Sequence, residues 1–425
     1  MATPNKKKIL NDPVYGFITI PTELVYDLVE HPYFQRLRRI KQLGLSEYVY
    51  PGALHTRFHH ALGAMHLMGE ATQTLRTKGH YITDAECEAA QIAILLHDIG
   101  HGPFSHVLES SLLDHVPHEA ISLLLMQELN RQFDGRLTMA IRMFDGTYER
   151  PFFHQLISSQ LDMDRMDYLN RDGYYTGVAE GAIGAERIIK MLDVVDNQLV
   201  VEAKGVLSVE NFLNARRLMY WQVYLHKTSI CCESMLVQIL HRARFLIRND
   251  AATDALINAP ATFKLFLHDS VSLLDFQTDI KYINAFTQLD DYDVWGSIKQ
   301  WALHPDLVLS ALCKMLLDRH LFKIILSTEP FDDDLIQDLT SQLRRAGVAE
   351  DDLSYFLIEG QATNAAYMPS QERINIKLKS GAVIDIAEAS DLSNVHVLTN
   401  IVRRYYVCWA KGLDIFATVD QQPIS

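Results

Sequence analysis

Between Ala85 and Ile99 the chain reads as a single helix, almost wholly apolar from Ile92 to Leu96. It runs directly into His97-Asp98-Ile99-Gly100-His101-Gly102. A helix that is apolar all round is buried, and Gly100, Gly102 and Pro103 end it. An imidazole and a carboxylate at the end of a buried helix are unfavourable unless each is paired or bound to a metal ion. Adjacent helical residues point about 100° apart, so His97 and Asp98 reach one ion only if it sits beyond the helix end. The glycine break leaves room there. His101 lies one turn past His97, on the same side. Further ligands must then come from elsewhere in the chain.

The histidines show where to look. The chain has 18, and ten of them fall in the 64 residues from His55 to His118, where an even spread would put about three. His59 and His60 follow Arg57-Phe58 at the start of a helix expected from about Arg57 to Arg76. His106 and His118-Glu119 lie downstream. In the later run from Gln160 to Asp172, Asp164, Tyr168 and Asp172 recur at i, i+4 and i+8 and share one helical stripe. Each piece alone has an ordinary explanation. A second His-Asp pair, His268-Asp269, lacks glycines and companions, an acidic stripe is commonly a solvated face, and Arg36, Arg38, Arg39 and Lys41 read as surface charge. Together they make a set of imidazoles and carboxylates suited to Zn, Mn, Fe or Ni.

Around this centre the pattern is mostly α. Residues 9–20 read as an extended start with a turn at Asn11-Asp12-Pro13, and helices dominate from Pro21 to about Asp250. The exception is a hairpin over 192–202, turning at Asp196-Asn197. Residues 251–352 hold 17 acidic and 8 basic residues, a net of -9 out of the chain's -14, and still read as helical. Residues 373–386 alternate around Ser380-Gly381 and predict a second hairpin, and a last helix is expected from about Asn394 to Trp409. The expected parts are a catalytic core over 1–250, an acidic helical segment over 251–352, and a C-terminal α+β portion over 353–425. The acidic balance argues against bulk nucleic-acid binding. Five scattered cysteines without C-x-x-C spacing, no signal-like start and no apolar run of ~18 residues point to a cytoplasmic protein with no membrane span.

His60, His97-Asp98 and Asp164 resemble the H…HD…D metal set of the HD-domain phosphohydrolases. The blocks Asn11-Asp-Pro-Val-Tyr-Gly16, Phe34-Gln-Arg-Leu-Arg-Arg-Ile-Lys-Gln-Leu-Gly44, Arg57-Phe-His-His60, His97-Asp-Ile-Gly-His-Gly-Pro-Phe-Ser-His106 and Asp162-Met-Asp-Arg-Met-Asp-Tyr168 are similar to the deoxynucleoside triphosphate triphosphohydrolases of the SAM-and-HD-domain type. The resemblance runs from about residue 9 to about 245. It implies an HD-domain helical core with minor β-hairpins, and hydrolysis of a dNTP to deoxynucleoside and triphosphate. One divalent ion per subunit is implied, held by His60, His97, Asp98 and Asp164, with Mn, Mg, Fe, Zn and Ni all compatible.

The resemblance also implies the site residues. His106 would be the acid, oriented by Glu109, where the family has Asp. His101 and His118 would line the phosphate channel. Arg57, Arg165, Arg216 and Lys227 would hold phosphates, Tyr168 would stack under the sugar, and Asp172 would accept from the 3′-hydroxyl. Gln42, Leu43 and Tyr224 would meet sugar and base. Glu30, Gln35, Arg36 and Arg38 resemble a nucleotide activator block at a subunit interface, which implies a homo-oligomer, dimer or tetramer. Two other readings stay open from the residues themselves. One is an HD phosphohydrolase for nucleoside monophosphates, cyclic nucleotides or DNA ends. The other is a nucleotide-sensing binding protein with a structural metal.

Overall fold

A computed structural model describes residues 8–104, 106–113, 116–249, 257–368, 372–390, 399 and 401–411. The fold is mostly α, and three helices form its centre. The apolar helix Asp84–Leu96 begins in a capping box: Thr83 accepts from the Glu86 N–H at 3.2 Å, and Glu86 accepts from the Thr83 N–H at 2.8 Å. Ala89, Ala90 and every residue from Ile92 to Leu96 are buried between the helices Arg57–Thr77 and Thr138–Phe144. Helix Met163–Thr176 packs on the other side of Arg57–Thr77. Asp162 caps it by accepting from the Arg165 N–H at 2.7 Å, and Gly177, at φ +75°, ends it.

Gly63 sets how closely these two helices approach. A Cβ there would lie 1.9 Å from Asp167 Oδ1 and 2.2 Å from Arg171 Nη2. The absent side chain is what lets a buried carboxylate and guanidinium lie flat against Arg57–Thr77.

The β structure is peripheral. Ile9–Asp12 and Gly16–Thr19 form the N-terminal hairpin. Leu192–Val195 and Gln198–Glu202 form the second hairpin, and Asp196 and Asn197 both take positive φ, as a type I′ turn requires. The third hairpin, Asn375–Lys377 with Val383–Asp385, joins the second through parallel pairing of Val201 with Ile376. The expected C-terminal helix is corrected. Residues 394–398 and 400 lie outside the described residues, and Val402–Trp409 is a strand, central in a three-stranded sheet between Lys323–Ser327 and Leu357–Asn364. Its Val402, Tyr405, Tyr406, Val407 and Trp409 are β-branched or aromatic, and Val407 and Cys408 are fully buried on packing.

The acidic segment packs onto the core as well. Asp291, almost fully buried, accepts from the Lys41 N–H at 2.8 Å and the Phe104 N–H at 3.3 Å, and Asp290 pairs with Arg39. Burial pushes the Asp291 carboxyl up to about 7. Among the described residues no helix is long and apolar enough to cross a membrane.

Gly63→Ala is expected to lower stability by about 1–3 kcal/mol in a denaturant titration, from overpacking. Gly296→Ala, at an exposed helical position with nothing within 4 Å of the added carbon, is expected to raise it by about 0.5–1 kcal/mol.

Candidate metal centre and phosphate channel

Helix geometry brings the four expected metal ligands together. His60 stands in the first turn of Arg57–Thr77, His97-Asp98 follows the end of Asp84–Leu96, and Asp164 stands in the first turn of Met163–Thr176. Asp164 Oδ1 lies 3.1 Å from His60 Nε2 and 3.3 Å from His97 Nε2. Asp98 Oδ1 lies 3.3 Å from His97 Nε2, and its Oδ2 lies 3.8 Å from His60 Nε2. Both imidazoles are oriented from behind. His60 Nδ1 donates to Asp167 Oδ2 at 2.8 Å, and His97 Nδ1 donates to the Ile94 carbonyl at 2.6 Å. That leaves both Nε2 atoms buried and without a well-aligned hydrogen bond. Two such nitrogens converging on two carboxylates fit a divalent ion.

A second group adjoins the first. Asp98, His101 and His118 also hold their ligand atoms close together. His101 Nε2 is 3.3 Å from Asp98 Oδ1, and its ring stacks on His118 with centroids 3.7 Å apart. His118 Nδ1 donates to Glu109 Oε1 at 3.0 Å. Glu109 lies behind His118, and its expected pairing with His106 falls outside the described residues. The His106 side chain falls outside the described residues, although its backbone opens the helix His106–Ser111. Burial, then the charge of Arg57, push His101 down to about 3, so it is a neutral imidazole at pH 7.

Three of the four expected phosphate cations are held by polar partners. Arg57 pairs with Asp98, Arg165 with Asp162, and Arg216 Nη1 donates to Gln160 Oε1 at 3.1 Å, while Lys227 is exposed at the start of Lys227–Asn249. The residues expected to meet a sugar lie on the same stripe as Asp164. The Tyr168 ring lies 6.5 Å from His60 and 6.0 Å, edge to face, from Tyr224. Tyr224 ends a π-helical turn, Tyr220–Tyr224, and donates to Asp172 Oδ2 at 2.7 Å. His55, which had no expected role, donates from Nε2 to Asp172 Oδ1 at 2.7 Å and stacks on Tyr175. Gln42 joins this group through its N–H, which donates to the His55 carbonyl at 3.0 Å, and Leu43 follows it, half-buried.

The activator block is split. Glu30 and Arg38 are exposed, Arg38 donates to Gln35 Oε1 at 2.8 Å, and its guanidinium lies over the Phe58 ring. Arg36 is corrected. It is 0% exposed and donates to the carbonyls of Ile99, His101, Leu289 and Phe286 at 2.8–3.3 Å. Burial brings it down to about 9, so it stays charged. A guanidinium committed to four carbonyls fastens the His101 loop to the acidic segment and does not meet a ligand at a surface.

The HD-domain family profile matches residues 57–172, and the HD-associated region matches 183–257. A solved phosphohydrolase from Bacteroides thetaiotaomicron is 50% identical, superimposes with a TM-score of 0.91, and matches 96% of this chain and 100% of its own. The uncharacterized protein YwfO of Bacillus subtilis is 32% identical over 408 residues, 92% of this chain and 90% of that protein. The chain belongs to the HD-domain phosphohydrolase family. It is also 28% identical to the human deoxynucleoside triphosphate triphosphohydrolase SAMHD1 over 396 residues, 77% of this chain and 62% of the human protein.

Sequence reading of this HD phosphohydrolase missed the residues behind the ligands. Asp167, Arg171 and Asp12 form a buried ion-pair chain behind His60, and His55 stands behind Asp172. The one available signal was the i, i+4 spacing of Asp167 and Arg171. Without an ion, burial would lower His60, but Asp164 and Asp167 outweigh it and raise it to about 10. His97 is raised as well, burial being opposed by Asp98 and Asp164. The charged His60 therefore stabilises the metal-free fold below about 6.5, and that contribution is lost as pH rises toward about 10. A divalent ion held by these residues would displace such protons. Metal affinity is expected to rise with pH across this window, with protons released on binding. Calorimetry in buffers of different ionisation enthalpy checks it, and a pH-independent affinity would contradict it.

Proposed function

We propose that this HD phosphohydrolase cleaves deoxynucleoside triphosphates to deoxynucleoside and inorganic triphosphate, with one divalent ion per subunit. The observation that carries this reading is a single helix, Met163–Thr176. It presents the metal ligand Asp164, the aromatic Tyr168 and the acceptor Asp172 along one stripe, one and two turns apart. Such a ruler matches a substrate whose phosphate end meets the ion and whose sugar lies beside the ring. The relation to SAMHD1 supports the same substrate class.

An ion held by His60, His97, Asp98 and Asp164 would supply Lewis acidity for attack of water at the α-phosphorus. The chain's own groups do the rest. Arg57, Arg165, Arg216 and Lys227 offset the phosphate charge. The Tyr168 ring, lying beside His60 and Tyr224, would exclude a 2′-hydroxyl from a sugar stacked on it. Asp172, held in place by His55, accepts from the 3′-hydroxyl. As the oxygen of water adds to the α-phosphorus, the bond from phosphorus to the 5′-oxygen breaks and the departing oxygen takes a proton from His106. The proton released by the added water passes to solvent, from which His106 is reprotonated. Neutral His101, and His118 held by Glu109, line the phosphate path. Glu30, Gln35 and Arg38 are the remaining candidates for a nucleotide activator at an interface between copies of the chain.

Incubation with each dNTP and Mn or Mg, with products separated by ion exchange, is expected to give deoxynucleoside and triphosphate. Monophosphate with pyrophosphate, or turnover of monophosphates alone, would overturn the reading. His60→Ala and Asp98→Ala are expected to reduce turnover roughly 100-fold or more. Asp172→Asn is expected to erase most of the preference for dNTPs over 2′,3′-dideoxy analogues, a loss of roughly 10-fold or more for one charge-assisted hydrogen bond.

A further inference from the structure

We infer that the N-terminal hairpin is a working part of the metal centre, because the buried chain Asp12–Arg171–Asp167–His60 sets the affinity for the ion. The inference rests on the reading of His60 as a ligand. Asp167 Oδ2 accepts from His60 Nδ1 at 2.8 Å and from Arg171 Nε at 2.9 Å, and its Oδ1 accepts from Arg171 Nη2 at 2.9 Å. Arg171 turns its other edge to Asp12, with Nη1 at 2.7 Å from Oδ2 and Nη2 at 3.3 Å from Oδ1. Asp12 Oδ1 is in turn fixed by the N–H groups of Val14 and Tyr15, each at 3.0 Å, inside the hairpin turn. The side chains of His60, Asp167 and Arg171 are 0% exposed and that of Asp12 is 5% exposed. The Tyr15 ring lies beneath the guanidinium, its centroid 5.5 Å away. The whole chain of charges is withdrawn from bulk solvent.

The electrostatics give Asp12 a task that its distance along the sequence conceals. A carboxylate on the far nitrogen of a ligating imidazole orients the ring and makes its near nitrogen a better donor to the metal. Arg171 alone, forked onto Asp167, would cancel that carboxylate's charge. Asp12 shares the guanidinium and restores a net negative charge behind His60. The hairpin therefore governs how strongly Asp167 acts on the ligand. Gly63 permits the arrangement, since any side chain there would meet both Asp167 and Arg171. Asp12, Arg171 and Asp167 are positioning residues: they act on the ion through His60.

The test compares wild type, Asp12→Asn and Ile18→Ala. Ile18 is a core residue of the same hairpin, 1% exposed, with an apolar side chain that cannot join the charged chain. Mn affinity is measured by competition with a fluorescent chelator, metal content by mass spectrometry and stability by thermal melting. Asp12→Asn is expected to bind Mn roughly 10–100-fold more weakly. Ile18→Ala is expected to melt earlier and bind Mn like wild type. Unchanged affinity in Asp12→Asn, or equal losses in both variants, would overturn the inference. If Asp12→Asn fails to fold, amide exchange of wild-type residues 9–19 with and without Mn decides. Coupling is reciprocal, so Mn is expected to slow exchange in the hairpin, and identical exchange would refute the link. A wild-type protein that takes up none of Mn, Fe, Zn or Ni would instead remove the metal reading itself, and the inference with it.

Discussion

Asp164 Oδ1 lies within 3.3 Å of two imidazole nitrogens that three separate helices bring to one point. That convergence depends on dry packing. The helix ending at Leu96 must be apolar over its last five residues, Ile92 to Leu96, to bury His97 and Asp98 where they meet His60 of Arg57–Thr77 and Asp164 of Met163–Thr176. Asp164 and Asp167 raise His60 to about 10, and Asp98 and Asp164 raise His97 as well, against the effect of burial on both. Stability and metal binding are therefore set by the same few atoms.

Much of this was legible in the sequence. The i, i+4, i+8 stripe and the hairpins over 192–202 and 373–386 could be found because each is encoded by local spacing, which periodicity and turn chemistry report directly, whereas the H…HD…D set was legible through its resemblance to a family pattern. His55 and Asp12 were not, because their roles depend on partners 117 and 159 residues away. Nothing in their immediate neighbours announces a buried acceptor across the fold. Arg36 misled for a related reason. It sits in a basic run whose other members reach solvent, and only tertiary packing reveals that it alone turns inward.

The strand Val402–Trp409 shows the opposite failure, in which local pattern was available but ambiguous. Its spacing of apolar residues fits a helix or a buried strand equally well. Pairing on both sides with Lys323–Ser327 and Leu357–Asn364 satisfies its backbone and decides the matter. The Tyr220–Tyr224 π-turn is invisible in sequence for the same reason. It is a register adjustment between two helices, and it aims Tyr224 at Asp172.

The carbonyl clamp around Arg36 bears on modularity. Two of its acceptors, Ile99 and His101, belong to the loop that follows His97-Asp98, and two, Phe286 and Leu289, belong to the acidic segment. A fragment ending after helix Lys227–Asn249 would carry every named ligand yet leave a buried guanidinium with half its acceptors. The halves of this chain are thus a single inheritance: the part that bears the ligands cannot be shuffled, trimmed or transplanted without the part that bears none.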